Sequence, residues 1–196
     1  MPRLRHLLWM ILLAGMPLYA GTILVFGDSL SAGYGLSPGQ GWVALLSHEL
    51  APRDHVVNAS QSGETTAGGL TRLPQVLAQT RPDLVLLELG ANDGLRGLPL
   101  EAMRRNLAQM VRLCRRAHAR VLLIGIELPP NYGAPYTQAF HAVYDDLASQ
   151  LHLAYVPQLM QGFAGDLSKF QADGLHPAAQ MQPVMMHTVR SRMPLS

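Results

Sequence analysis

A single cysteine, Cys114, leaves the chain of 196 residues without a partner for an internal disulfide. An oxidising compartment is therefore tolerated and not exploited, and Cys114 is expected to be a small buried side chain. Charge is scarce as well: 15 Lys and Arg stand against 13 Asp and Glu, and charged residues make up 14% of the chain. Two of the basic residues, Arg3 and Arg5, fall in the first twenty positions, which hold no acidic residue, so the remainder carries 13 of each sign. That balance points away from any polyanion, and no nucleic-acid partner is expected. There is no internal repeat, no low-complexity tract and no Pro-, Gly- or Ser-rich linker that would divide the chain. At this length, with 48% hydrophobic residues, one domain around one core is expected.

Long hydrophobic runs are lacking too. The apolar run Leu7 to Met16 falls short of the roughly 17 to 25 residues that a spanning helix needs. With Arg3 and Arg5 before it, Pro17 after it and a small-residue exit at Ala20 and Gly21, it has the pattern of a secretory signal. Residues 1–20 are expected to be removed and residues 21–196 to form the domain, a membrane anchor being the competing reading. No cysteine stands directly after the exit, which speaks against a lipid-modified N-terminus. The periplasm or the exterior is the expected location, and the mature chain is expected to be a monomer.

Five short apolar runs recur at intervals suited to strands separated by helices: Thr22–Phe26, His55–Ala59, Leu84–Leu89, Val121–Ile126 and Leu153–Pro157. Their lack of alternation is the pattern of a parallel sheet covered on both faces. The clearest helix is Glu101–His118, where Leu107, Met110, Val111, Cys114 and Ala117 share one face and Arg104, Arg105, Arg112, Arg115 and Arg116 the other. That basic face is read as a solvated one. Further helices are expected at Gln40–Leu50, Gly69–Gln79, Tyr136–Leu151 and Ala178–Arg192. Strand and helix in alternation predict an α/β fold, a three-layer α/β/α sandwich with right-handed crossovers, and ligands in such sheets bind outside the carboxyl ends of the strands.

Chemistry gathers at those ends. Gly27 closes the first run and is followed by Asp28 and Ser29; the second leads to Gly63, the third to Asn92 and Asp93; Asp173 and His176 stand near the C-terminus, with Pro177 after them. Each alone has a bland reading: a helix cap, a turn, a loop or a structural histidine. Together they supply a hydroxyl, a base and a group that orients the base, which is what nucleophilic catalysis requires. Ser29, His176 and Asp173 take these roles, and the N–H groups of Ser29 and Gly63 with the side-chain amide of Asn92 are candidate donors to an oxyanion. Asp28 is read as a hydrogen-bonding residue of the turn and not as a second acid.

These stretches, GDSL at 27–30, Gly63, GAND at 90–93 and DGLH at 173–176, resemble the four blocks of the SGNH, or GDSL, hydrolases, in family order and spacing. GDSLSAGYG, NASQSGETTAGGL, LGANDGLRGLP and LPPNYG are similar to the periplasmic thioesterase, arylesterase and lysophospholipase branch of that family. The resemblance spans essentially the whole mature chain. It implies a flavodoxin-like five-stranded parallel sheet and an acyl-enzyme on Ser29 with Asp173 and His176 as partners. It further implies oxyanion donors at Ser29, Gly63 and Asn92, no cofactor, no metal, and a small-molecule acyl ester or thioester as substrate, with transient contact to membrane lipid. One departure is Ala91, where relatives commonly carry Gly; its methyl group is expected to stiffen the Asn92 loop. The stretch Gly94–Leu100 is read as a loop, with Leu95 and Leu98 along the path of the acyl chain, and medium to long acyl groups are expected to be preferred.

Three other readings compete. A metal-dependent phosphoesterase would use Asp28, Asp93, Asp173 and His176 as ligands, but the remaining histidines stand apart from these motifs. A non-catalytic lipid-binding protein would have no need of Ser29, Asp173 and His176 together. A carbohydrate O-acetylesterase would share the mechanism, and only the loops disfavour it.

Overall fold

The computed structural model describes residues 21–194, so the expected signal at 1–20 lies outside the described residues. Five parallel strands, β1 Gly21–Gly27, β2 Asp54–Asn58, β3 Leu84–Glu88, β4 Arg120–Ile124 and β5 Ala154–Val156, form one sheet in the order β2-β1-β3-β4-β5. This is the doubly wound order, with its switch point between β1 and β3. Register is tight there: Val25 faces Leu86 and Gly27 faces Glu88. Every residue of β3 is buried, as a central strand covered on both faces demands.

Among the described residues seven α-helices connect and flank the sheet: α1 Ser29–Ala32, α2 Trp42–Leu50, α3 Thr66–Thr80, α4 Ala91–Leu95, α5 Leu100–Arg116, α6 Ala134–Gln150 and α7 Gln182–Arg190. Helix α2 packs beside α7, and α5 packs between α3 and α6. The direction of winding reverses at β1, so right-handed crossovers put these two groups on opposite faces. The amphipathic pattern of α5 is realised: Met103, Leu107, Met110, Val111 and Cys114 are buried, and burial pushes the Cys114 thiol up to about 12. Ala117 is not on that buried face. The helix ends at Arg116, and Ala117 is its exposed C-cap.

Other boundaries shift for local reasons. Helix α3 begins at Thr66, because the Thr65 hydroxyl caps it by accepting from Gly68 N–H at 3.3 Å. The expected single helix over 178–192 is a 3₁₀ turn, Ala179–Met181, followed by α7. The stretch after Asn92 is not simply a loop, since α4 runs from Ala91 to Leu95. Among the described residues no helix is long and apolar enough to cross a membrane.

Candidate active site

β1 is a rigid mount whose last residue has no room for a side chain. A Cβ on Gly27 would lie 2.4 Å from Glu88 Oε2 and 2.7 Å from the Glu88 carbonyl oxygen, so glycine alone lets the chain bend here beside β3. Asp28 follows, and its Oδ1 accepts from Leu30 N–H at 3.0 Å, which caps α1 and starts a helix at Ser29. The one-turn helix closes at Gly33, in the left-handed conformation with φ 77°. Ser29 is thereby held at the carboxyl edge of the sheet, at the switch point.

The second and third strand ends are fastened to each other. Asp93 is buried, and its carboxylate accepts from Thr66 N–H at 2.8 Å and from Thr66 Oγ1 at 2.6 Å, which fixes the start of α3 against α4. The Asn92 amide donates to Asp28 Oδ2 at 3.1 Å and to the Glu64 carbonyl at 3.0 Å. Gly63, next in the chain, is left-handed with φ 80°, and its carbonyl accepts from Arg96 Nη2 at 3.0 Å. Ala91 opens α4 and is buried, and alanine suits a helical position better than glycine by about 1 kcal/mol.

The C-terminal segment returns between the 3₁₀ turn Leu167–Lys169 and the turn at Ala179–Met181. It forms a small loop closed by a bridge between Phe170 and Pro177. Inside it Asp173 Oδ1 accepts from the N–H groups of Leu175 and His176 at 2.9 and 3.0 Å, and Oδ2 lies 2.7 Å from His176 Nδ1. On the other side of the ring, Nε2 lies 2.8 Å from Ser29 Oγ. Partial desolvation raises the Asp173 pKa, yet the two backbone N–H groups and the imidazole outweigh it and hold the carboxyl at about 2. It stays ionised and orients the imidazole.

Beneath the turn at Ser29 lies a buried acidic pair, Asp28 and Glu88. Glu88 is fully buried; its Oε2 accepts from Ser31 Oγ at 2.6 Å and from Asp28 N–H at 3.3 Å, while Oε1 has no partner among the described residues. Burial and the neighbouring Asp28 carboxyl push its pKa well up. Burial likewise lifts Asp28 to about 7, against the Leu30 N–H and the Asn92 amide, which favour the ionised form. Asp28 is therefore a hydrogen-bonding residue of the turn, as its position after Gly27 suggested. The ligand set imagined for a phosphoesterase does not converge: Asp93 is spent on Thr66, Asp28 on Leu30 and Asn92, and Asp173 on His176 and Leu175. Among the described residues no group of three or more His, Cys, Asp or Glu side chains is placed to hold a metal ion.

Ser29, Gly63, Asn92 and His176 line one cavity of about 270 Å³. Its remaining walls are mostly apolar: Leu95 from α4, Ile126, Leu128, Pro129 and Pro130 beyond β4, Met160, Ala164, Leu167 and Phe170 beyond β5, and Leu175 beside the imidazole, with Tyr34, Ser62 and Glu127 as polar members of the lining. Two tyrosines of the LPPNYG segment and its successor hold α4 in place, Tyr132 Oη donating to the Leu95 carbonyl at 3.1 Å and Tyr136 Oη to that of Gly94 at 3.0 Å. Leu98, expected along the acyl path, does not line this cavity. After Leu95 the chain turns at Gly97, with φ 64°, and carries Leu98 outward to 38% exposure, outside the cavity lining. The walls from residues 126–130 and 160–170 were not among the expected site residues. Their signal was present in the rule that places ligands beyond the carboxyl ends of strands, applied to β4 and β5 as well as to β1 and β3.

A model of the GDSL-like lipase/acylhydrolase family matches residues 25–182, from the middle of β1 to the start of α7. The chain belongs to that family. Among relatives, the GDSL-like chain is 51% identical over 173 residues to "Esterase TesA" of Pseudomonas aeruginosa, a match covering 87% of this chain and 86% of that protein. It is 42% identical over 176 residues to "Thioesterase 1/protease 1/lysophospholipase L1" of Escherichia coli, covering 90% of this chain and 85% of that one. A crystal structure of TesA superposes with a TM-score of 0.84 at 50% identity, covering 87% of this GDSL-like chain and 97% of that structure.

Proposed function

We propose that the protein is a serine hydrolase that cleaves carboxylic esters and thioesters of medium to long acyl chains through an acyl-enzyme on Ser29. The observation that carries this is the line from Asp173 Oδ2 to His176 Nδ1, 2.7 Å, and from His176 Nε2 to Ser29 Oγ, 2.8 Å, opening on a mostly apolar cavity. The imidazole takes the serine proton as Oγ adds to the acyl carbonyl, and returns it to the leaving alcohol or thiol as the carbon–oxygen or carbon–sulfur bond breaks. Water then repeats the sequence on the acyl-enzyme, releasing the carboxylic acid and free Ser29. The ionised Asp173 keeps Nδ1 protonated and stabilises the imidazolium.

The oxyanion is assigned to the N–H groups of Ser29 and Gly63 and to the Asn92 amide. In the resting site both Asn92 amide hydrogens have acceptors, Asp28 and the Glu64 carbonyl. A developing alkoxide is a stronger acceptor than a peptide carbonyl, so it draws one of these N–H groups to itself. The exchange happens only when negative charge has formed, which is the condition for an interaction to lower the barrier and not merely bind substrate. The apolar walls support acyl chains over acetyl groups, since each buried methylene contributes about 0.8 kcal/mol. The names of the relatives, esterase and thioesterase with lysophospholipase, support the same substrate class. The basic and apolar pattern of residues 1–20 supports action in the periplasm or outside the cell.

A fluorophosphonate probe with a panel of p-nitrophenyl esters and acyl-CoA thioesters tests this reading. Ser29 is expected to carry the label, and Ser29→Ala to lose both labelling and hydrolysis. Label on another residue, or turnover by the Ala variant, would overturn it.

A further inference from the structure

The His176 imidazole is held from three sides, and only two belong to the triad. The third contact is Tyr34, whose ring centroid lies 4.6 Å from that of His176 with the planes inclined at 38°. Tyr34 is 53% exposed, so burial does not account for where its ring sits; its backbone does. Tyr34 N–H donates to the Ser29 carbonyl at 3.2 Å, and the Tyr34 carbonyl accepts from Gln171 Nε2 at 2.8 Å. Gln171 in turn belongs to the base loop: its N–H donates to the His176 carbonyl at 2.7 Å, and Nε2 also reaches the Pro177 carbonyl at 3.3 Å. The Gln171 side chain closes over Gly35, where φ is 72° and a Cβ would stand 2.0 Å from Gln171 Oε1. One side chain thus joins the turn after the nucleophile to the loop that carries the base, across 137 positions of sequence.

We propose that Tyr34 and Gln171 are positioning residues for the hydrolysis assigned above: Gln171 ties the Tyr34 turn to the His176 loop, and the Tyr34 ring keeps the imidazole in line with Ser29 Oγ. The proposal rests on the Ser29 and His176 roles given under the proposed function. A tilted ring pair at this separation is attractive in itself. When the imidazole takes the serine proton it becomes a cation facing an aromatic ring, which favours the charged form. The charged groups near His176 are Asp173 in its own loop, Asp28 at the start of α1 and Glu127 in the lining of the same cavity, and the substitutions at Tyr34 replace none of them. Gln171 acts through a donor, because its amide hydrogens meet two carbonyl oxygens; a carboxylate of the same shape would face those oxygens with acceptors.

The test compares Tyr34→Leu, Tyr34→Phe, Gln171→Glu and Gln171→Met with the full chain, measuring kcat, KM, the pH profile of kcat/KM on p-nitrophenyl esters, the rate of fluorophosphonate labelling and the melting temperature. Tyr34→Leu is expected to lower kcat and labelling by roughly ten- to a hundredfold, the order expected for misplaced catalytic groups. It should also move the acid limb of the profile about half a pH unit lower, and Tyr34→Phe should restore both. Gln171→Glu should lower kcat more than it raises KM, and Gln171→Met, which removes the donor without adding charge, should do so to a smaller extent. An unchanged limb and kcat in Tyr34→Leu, a change in KM alone, or full activity in Gln171→Glu overturns the inference. If wild-type protein is labelled on Ser29 while the variants keep their rates, only this inference falls; if Ser29 is not labelled at all, the proposed function falls first.

Discussion

Leu95 and Leu98 are three positions apart in a stretch of similar composition, yet only one faces the cavity. Distance from Asn92 along the chain made both look suitable. What separates them is the short helix α4, which carries Leu95 round to the walls, and the left-handed turn at Gly97, which sends Leu98 away. No apolar periodicity marks a helix of five residues, because one turn has no room for a repeat. Ser29, Asp173 and His176, by contrast, stood out as a set, since a hydroxyl, a carboxylate and an imidazole in combination point to one chemistry where each alone does not, and the structure brings them within hydrogen-bond distance of one another. The two leucines therefore predict different phenotypes. Leu95→Asn should depress kcat/KM for octanoyl and longer esters more than for acetyl esters, by about tenfold for the loss of roughly two methylene contacts. Leu98→Asn should leave the chain-length profile as it was. Equal losses at every length for Leu95→Asn would mean that it supports Asn92 and does not touch the acyl chain.

At the scale of elements, the strands and the long helices could be read directly, because continuous apolar runs and a 3.6-residue period are properties of local sequence. The joints between elements could not. Asp93 looked like one half of a loop dipeptide, or a metal ligand; its role in joining α4 to α3 depends on Thr66, 27 residues earlier. The same holds for Asn92 with Asp28 and for Gln171 with Tyr34, pairs that are adjacent only because β1 and β3 are neighbours in the sheet and the C-terminal loop folds back onto β1. The Asp93 joint carries a measurable load. Asp93→Ala would leave the Thr66 N–H and the hydroxyl hydrogen without their acceptor in a buried site, although the hydroxyl oxygen still accepts from the Asn106 amide at 3.1 Å, and an unsatisfied buried group costs about 1–3 kcal/mol. Urea denaturation should show a loss of that order, and kcat should fall with it because Gly63 and Asn92 lose their common fastening. A stable Asp93→Ala protein with normal kcat would show that α3 and α4 are held by apolar packing alone.

For the whole molecule, the buried pair under the Ser29 turn sets a pH dependence that net charge does not foretell. In the unfolded chain Asp28 and Glu88 ionise near about 4; in the fold, burial raises Asp28 to about 7 and Glu88 well above its ordinary value. Raised carboxyl values contribute stability that is complete below about pH 4 and is lost as the pH climbs through the folded values, because the unfolded state gives up its protons first. Asp173 works in the other direction and in another window. Its value of about 2 makes its contribution complete above about pH 4 and lost only as the pH falls below that. Between about pH 4 and 7 the two carboxyls beside Gly27 therefore tilt the molecule toward lower stability as pH rises. Glu88→Gln isolates this effect: the amide oxygen can still accept from Ser31 and Asp28, the shape is kept, and no proton has to be retained. The difference in melting temperature, variant minus wild type, should grow more positive from pH 4 to pH 8, by about 2–4 °C for each kcal/mol recovered in a domain of this size. Asp28 belongs to the same pair and responds to the replacement with it, since the two carboxyls act on each other. A difference that stays flat across this range would mean that Glu88 is ionised in the fold.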